Sequence, residues 1–345
     1  MAGEAGIDRP EDALRVAEAY FETANYARAR EVLRRSLAQH PNDPALLAQH
    51  ARAEYLLNNH QGAAWSAYAA LSAAPHDEMA MRIYALSLDG LGRLHDALWM
   101  AWRGVIAHPN EPLQHRVYAR LLQKSRQFHS ALLAVEQALR LKPASPDTLV
   151  LRGSILHDLG RIAESDAAYQ EALALDPGNA EAINNIAVNR LKRGKFAPAL
   201  RGFLGAAGSD PTLGDLARRN IGVVLVKLLK WATLVAMTLC VLVASVGSWE
   251  SRGNPTVTLR WLTGLVTVAL IAILGWLVRA VPRRTLISVL RDRYFGVLRI
   301  VHAVLAAALG AGVTVFGGPA WTIGAGLGLI VVGLVLFRVG LSIGM

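Results

Sequence analysis

The sequence predicts an all-α chain in two parts, a solenoid of six helix–turn–helix repeats followed by a four-helix transmembrane bundle. Three observations predict it. Proline recurs at Pro41, Pro75, Pro109, Pro143, Pro177 and Pro211, a constant step of 34 residues. Small residues recur with the same step elsewhere in the unit. Beyond residue 213, long uncharged runs replace the charge-balanced sequence before it. A fixed period of this size marks stacked supersecondary units, none of which can bury its apolar face alone.

After an N-terminal segment 1–9, with proline set as position 32, the units run 10–43, 44–77, 78–111, 112–145, 146–179 and 180–213 without insertion. Position 8 is Ala17, Ala51, Ala85, Ala119, Gly153 and Ala187; position 20 is Ala29, Ala63, Ala97, Ala131, Ser165 and Ala199. Position 27 is Ser36, Ala70, Gly104, Ala138, Ala172 and Ala206. Such positions are where helices cross too closely for a larger side chain. Bulkier residues fill the space between crossings at position 24 (Leu33, Ala67, Ala101, Val135, Tyr169, Phe203). The turn between the two helices of a unit falls near position 15, at Ala24, Asn58, Gly92, Arg126, Gly160 and Gly194. Glycine and asparagine suit the left-handed backbone of a helix stop, and the proline follows the second helix because it cannot extend it.

This pattern resembles the tetratricopeptide-repeat family over residues 10–213. The fifth unit matches best, with Gly153, Leu156, Gly160, Tyr169, Ala172 and the run LDPGN at 175–179 on the family pattern. The tryptophan expected at position 4 is missing throughout, from Ala13 to Ile183. The resemblance implies a right-handed α-solenoid whose ligands meet the first helix of each unit, mainly through positions 2, 5, 9, 12 and 13. Carried onto this sequence, those positions give a basic stripe of Arg52, Arg82, Arg116, Arg120 and Lys124 in the middle units and Asn184 in the last; Asn184 and its neighbour Asn189, at position 10, are available to a peptide backbone. Arg116, Arg120 and Lys124 share a helical face at four-residue steps. The lysine–asparagine clamp that similar repeats close on acidic C-termini of chaperones is absent, because no unit has Lys at position 5 with Asn at position 9.

The last third is a different material. Residues 1–213 carry 23 basic and 23 acidic residues, so the whole excess of +10 lies in 214–345, which hold 13 basic residues and only Asp215, Glu250 and Asp292. Those charges flank apolar runs, the distribution of a membrane protein and not of a nucleic-acid binder. Nineteen uncharged residues separate Lys230 from Glu250, and 18 separate Arg260 from Arg279. From Ile300 to Phe337 there is no charged residue, and Gly317-Gly318-Pro319 breaks that run into a hairpin. About 20 apolar residues cross a bilayer as a helix. The expected domain is 228–345, with spans near 228–248, 259–280, 298–316 and 319–339, preceded by a capping or linker helix over 214–227.

Basic residues set orientation. One side holds Arg218, Arg219, Lys227, Lys230, Arg279, Arg283, Arg284, Arg291, Arg293, Arg299 and Arg338; the other holds Arg252 and Arg260. By the positive-inside rule this puts the repeats and the C-terminus in the cytoplasm of a multi-pass protein of the cell membrane. Lys227, Lys230, Arg279, Arg283, Arg284, Arg291, Arg293 and Arg299 are the expected membrane-flanking cations. The polar N-terminal residues carry no pattern of a cleavable signal. The loop 282–298 reads equally as an interfacial helix or an ordinary basic loop. His302 reads as an interfacial group beside Arg299. Ala320, Gly324 and Gly328 form a small-residue stripe expected to pack within the hairpin.

Chemistry is scarce. The single Cys240 lies within a span, the histidines form no ligand spacing, and phosphate-loop, dinucleotide and nucleophile-elbow patterns are absent. The expectation is therefore no enzyme, no metal and no cofactor. The Ala-, Arg- and Gly-rich, Lys-poor composition points to a bacterial source. The favoured function is a membrane-anchored scaffold whose groove recruits a protein or peptide partner, within a larger membrane complex and without nucleic acid. The alternative is a small membrane transporter or membrane enzyme subunit with a regulatory repeat domain.

Overall fold

The computed structural model describes residues 9–209, 214–281, 283–291 and 294–342. Pro211 and Arg293 lie outside the described residues, and Arg284 is described by its backbone alone. The chain divides into two units, one ending at Pro177 and one beginning at Gly178.

The first unit holds five helix pairs: α1 (Pro10–Glu22) with α2 (Tyr26–Gln39), α3 (Pro44–Leu56) with α4 (His60–Ala73), α5 (Glu78–Gly90) with α6 (Leu94–Ala107), α7 (Pro112–Lys124) with α8 (Phe128–Leu141), and α9 (Pro146–Asp158) with α10 (Ile162–Leu175). The periodic small residues explain the packing, since Ala17, Ala51, Ala85 and Ala119, like Ala29, Ala63, Ala97 and Ala131, are fully buried. The fifth pair makes its crossing differently. Gly153 has no side chain, and the ring of buried Tyr169 comes within 2.5 Å of where its Cβ would stand, while Ser165 Oγ donates to the Gly153 carbonyl at 2.7 Å.

Each turn has the left-handed residue that the repeat register predicts: Ala24, Asn58, Gly92, Arg126, Gly160 and Gly194 all have φ between 53° and 77°. The next amide then reaches back to close the helix, as Asn25 N does to Tyr20 O at 2.8 Å and Gln127 N to Leu122 O at 2.9 Å. Such bonds satisfy carbonyls that a helix end would otherwise orphan. Helix starts are capped by Asp43 on the Leu46 amide at 2.9 Å and by Asp77 on the Ala80 amide at 2.7 Å. Successive first helices touch one another directly (α1 to α3, α3 to α5, α5 to α7, α7 to α9), whereas second helices meet the following first helix. Within this unit the first helices therefore line the inner, concave side and the second helices the outer, convex side.

The second unit opens with the sixth pair, α11 (Ala180–Lys192) and α12 (Phe196–Ser209), and continues through α13 (Gly214–Glu250), α14 (Val257–Ala280), α15 (Arg283–Arg291), α16 (Tyr294–Phe316) and α17 (Trp321–Ser342). Helix α13 runs 37 residues without a break, roughly 55 Å at 1.5 Å per residue. Its first turns bury Ile221, Val224 and Leu225 against Ala199, Leu200 and Phe203 of α12. Farther on, Ala232, Ala236, Leu239, Cys240, Val243 and Val246 form the stripe around which α14, α16 and α17 pack. Four helices here are long and apolar enough to cross a membrane: Arg218–Glu250, Val257–Ala280, Tyr294–Phe316 and Trp321–Val339. The segment between the second and third is itself helical, as α15.

Close approaches within the bundle use glycines other than the expected stripe. A Cβ on Gly326 would stand 2.9 Å from the Cys240 carbonyl, and one on Gly333 would stand 2.6 Å from Met237, so these two face α13. Gly324 and Gly328 have open space around them, and Ala320 is exposed. The reason is helical phase: residue 326 lies about 200° around a 3.6-residue helix from residue 324. His302 and Arg299 also depart from the sequence reading. Both are buried; His302 Nε2 lies 2.9 Å from the Leu329 carbonyl, and Arg299 Nη2 donates to the Leu336 carbonyl at 3.2 Å. Both side chains thus turn into the α16–α17 contact and bond carbonyls of the partner helix.

Two charges at the far ends of the spans tie the bundle. Arg260 donates to the carbonyls of Thr314 at 2.9 Å and Val315 at 2.7 Å, where α16 ends, and Glu250 accepts from the Gly318 amide at 2.7 Å, just ahead of α17. A cation at a helix C-terminus and an anion at an N-terminus both complement the helix dipole.

Candidate ligand-binding face

The inner face of the first unit is built from α1, α3, α5, α7 and α9, which present the same repeat positions once per unit. A step of about 34 residues then sets side chains of neighbouring first helices side by side. Polar contacts tie α1 to α3 and tie α5 to α7 to α9, a polar ladder with one gap, among the described residues, between α3 and α5. Arg52 Nη1 donates to Glu18 Oε2 at 2.8 Å, and its guanidinium lies 4.0 Å over the Phe21 ring. Arg82 pairs with Glu78 at 3.1 Å on its own helix, and Gln114 of the next unit donates to the Glu78 carbonyl at 2.8 Å. Lys124 Nζ reaches Asp89 Oδ1 at 2.6 Å. Arg116 Nη1 donates to Asp147 Oδ2 at 2.8 Å. Gln123 donates to Ser154 Oγ at 2.8 Å and to Asp158 Oδ2 at 2.6 Å.

The expected basic stripe is thus brought onto one face, but four of its five cations have carboxylate partners. Arg120 is the exception: it is exposed and forms no ion pair among the described residues. It sits one helical turn from both Arg116 and Lys124 on α7. Beside Arg116, a hollow of about 280 Å³ is lined by Pro112, Lys142, Ser145, Asp147 and Thr148 at the start of α9. Partly exposed ion pairs of this kind add little to stability, so they hold position more than they hold the fold together.

Sequence reasoning missed the carboxylates. Glu18, Asp89 and Asp147 lie 34, 35 and 31 residues from their partners, so a search for opposite charges one repeat apart would have found them. Asn184 and Asn189 belong to the second unit and are buried there. Asn184 accepts from Asn220 Nδ2 of α13 at 2.9 Å, which commits it to the junction between the sixth pair and the long helix.

Of the flanking cations, Lys227, Arg279, Arg283 and Arg291 are exposed, Lys230 is half-buried and Arg299 is buried as described. Among the described residues no cluster of histidine, cysteine, aspartate and glutamate could hold a metal ion.

Comparison with known proteins agrees with this architecture. Residues 119–180 and 10–53 match the tetratricopeptide-repeat family. No curated protein matches the chain. Among solved structures, the hetero-tetramer Cut9–Hcn1 of the APC/C is similar with a TM-score of 0.56 and 16% identity over 63% of this chain. This chain spans 44% of the length of that one. The type IV pilus biogenesis factor PilW is similar with a TM-score of 0.51 and 16% identity, over 57% of this chain and 91% of that one. At such identities the likeness concerns the fold.

Proposed function

We propose that this chain, a tetratricopeptide-repeat array joined to four apolar helices long enough to span a membrane, is a membrane-anchored scaffold that holds a protein partner in the groove of its first helices. The observation that carries this reading is the ladder itself. Polar pairs join α1 to α3 and join α5, α7 and α9, with side chains already fixed by Arg52 to Glu18, Lys124 to Asp89 and Arg116 to Asp147. A preorganised row of donors suits an extended peptide, which brings its own backbone and carboxylate acceptors. Arg120, exposed and without an ion pair among the described residues, is the position at which an acidic residue of the partner would add a charge-assisted bond. The basic excess on one side of the spans supports a cytoplasmic repeat domain.

The test is capture of partners from solubilised membranes by the full chain and by variants. Arg116→Ala with Arg120→Ala is expected to abolish capture while leaving the circular dichroism melt unchanged, because both side chains lie on the surface of α7. Undiminished capture by this variant would sink the groove reading.

A further inference from the structure

The convex side of the first unit carries a second surface that the groove of first helices does not use. On α6, Trp99, Trp102 and Ile106 are 47–59% exposed, and with His76, Met81 and Arg103 they line a hollow of about 310 Å³. Buried Met81 belongs to α5 and His76 to the segment ahead of it, so the hollow lies where the third helix pair meets the end of the second. Its accessible wall is almost wholly apolar. On α4, Trp65 and Tyr68 occupy the same repeat positions as Trp99 and Trp102, one unit earlier, and are 74% and 58% exposed.

The fold does not call for these residues. A packing requirement of the solenoid would recur in each unit, as the small residues at the helix crossings do. Outside the second unit, Trp102 corresponds instead to Arg34, Glu136 and Gln170, and Ile106 corresponds to Ala38, Ser72, Arg140 and Ala174. Charge is as uneven. Helices α4 and α6 together carry one arginine, Arg103, and no lysine. The Arg103 guanidinium lies 4.9 Å over the Trp99 ring and makes no ion pair among the described residues. Asp96, on the same helix, is committed to Arg93 at 2.7 Å, and Asp77, next to His76, to the Ala80 amide at 2.7 Å. A guanidinium resting on an aromatic face keeps N–H donors free at its edge, in the fork that a carboxylate fits.

We infer that this hollow is a docking site for a peptide segment of a partner protein in which a large apolar side chain stands next to an aspartate or glutamate. The apolar side chain enters the hollow, and the carboxylate accepts from Arg103. Tryptophan and arginine around a small pocket are the residues that carry most of the energy in protein interfaces. At about 310 Å³ the hollow sits at the lower end of ligand pockets, which run to roughly 300–1,000 Å³. Removing apolar surface from water drives the contact, and the charge-assisted bond to Arg103 fixes its direction. A bilayer is the other surface that accepts tryptophans. Sequences that read anionic lipid do so with clusters of about 4–8 cations, whereas one arginine at the edge of a concave apolar site selects one carboxylate. The site lies on the opposite side of the array from the groove of the first helices and does not depend on what that groove binds.

The experiment selects a random dodecapeptide phage library on the full chain in neutral-lipid nanodiscs. The chain carrying Trp102→Ala with Ile106→Ala serves to remove peptides that bind elsewhere. The expected outcome is enrichment of sequences with Leu, Phe or Trp close to Asp or Glu. A labelled synthetic copy is expected to bind the wild-type chain and to lose affinity roughly tenfold or more with the double variant, and likewise with Arg103→Glu, at an unchanged melt. Replacing the peptide's acid by lysine is expected to restore binding to the Arg103→Glu chain, which a loss of packing alone would not allow. Arg116→Ala with Arg120→Ala is expected to leave this binding unchanged, so that failure here and failure of the groove reading are told apart. An empty selection would overturn the inference, as would enriched peptides that lack an acid or that bind the Arg103→Glu chain as tightly. So would displacement of the peptide by phosphatidylglycerol vesicles and not by phosphatidylcholine vesicles, since the face would then belong to lipid.

Discussion

Arg126 closes the turn between α7 and α8 with φ 63°, where three of the other five turns use glycine. A side chain in the left-handed region costs about 1–2 kcal/mol, and the exposed Arg126 guanidinium makes no ion pair among the described residues that would offset this. Arg126→Gly removes that cost and gives back part of it as unfolded-chain entropy, about 0.4–1 kcal/mol. The expected outcome is a gain of about 0.5–1 kcal/mol, read as a higher thermal midpoint in a circular dichroism melt of the detergent-solubilised full chain. A lower midpoint would mean that the side chain has a structural role. At this scale the sequence was legible where the backbone demands a residue type. It was less so where it matters which group a side chain bonds. The turn position could be placed at Arg126 from the repeat alone. That Arg52, Arg116 and Lys124 are committed to Glu18, Asp147 and Asp89 depends on how neighbouring first helices are aligned, which a single repeat does not reveal.

Each helix pair solves the same packing problem with a different combination of sizes. The fifth unit sets Gly153 against Tyr169, whereas the first sets Ala17 opposite Leu33 at the same two positions. Alanine in place of Gly153 normally favours a helix by about 1 kcal/mol. Here its Cβ would stand 2.5 Å from the Tyr169 ring, and overpacking of this kind costs about 1–3 kcal/mol. Gly153→Ala is therefore expected to destabilise the chain by about 1–2 kcal/mol. Adding Tyr169→Leu, the first unit's solution, is expected to recover at least about 1 kcal/mol of this, a coupling of the size contacting residues show. Thermal melts of the single and double variants measure it; additive effects would show that the two residues do not share the crossing. Helix positions were legible because small residues recur with fixed register. The burial of Arg299 and His302 was not, because an apolar run reveals length but not which side of each helix faces its neighbours.

The whole chain joins a repeat array to membrane-length helices through α13, which has no interruption between the sixth pair and the first span. Its two faces follow from one sequence: Ile221, Val224 and Leu225 meet α12, and Ala236, Leu239 and Cys240 meet the other spans. The bundle also sharpens the argument from charge. On the side of the Gly317-Gly318 turn, Arg260 is spent on the end of α16 and Glu250 on the Gly318 amide, so Arg252 is the exposed basic residue left there. On the other side Arg279, Arg283 and Arg291 are exposed together. Cytoplasmic loops carry the excess of such residues. Exposed Asn254 and Ile287 report the two sides, and Cys240 is buried within the bundle. In intact cells a membrane-impermeant maleimide is expected to label Asn254→Cys and to reach Ile287→Cys only after permeabilisation. The reverse pattern would invert the topology and place the groove of the first helices outside the cell, where a cytoplasmic partner could not reach it.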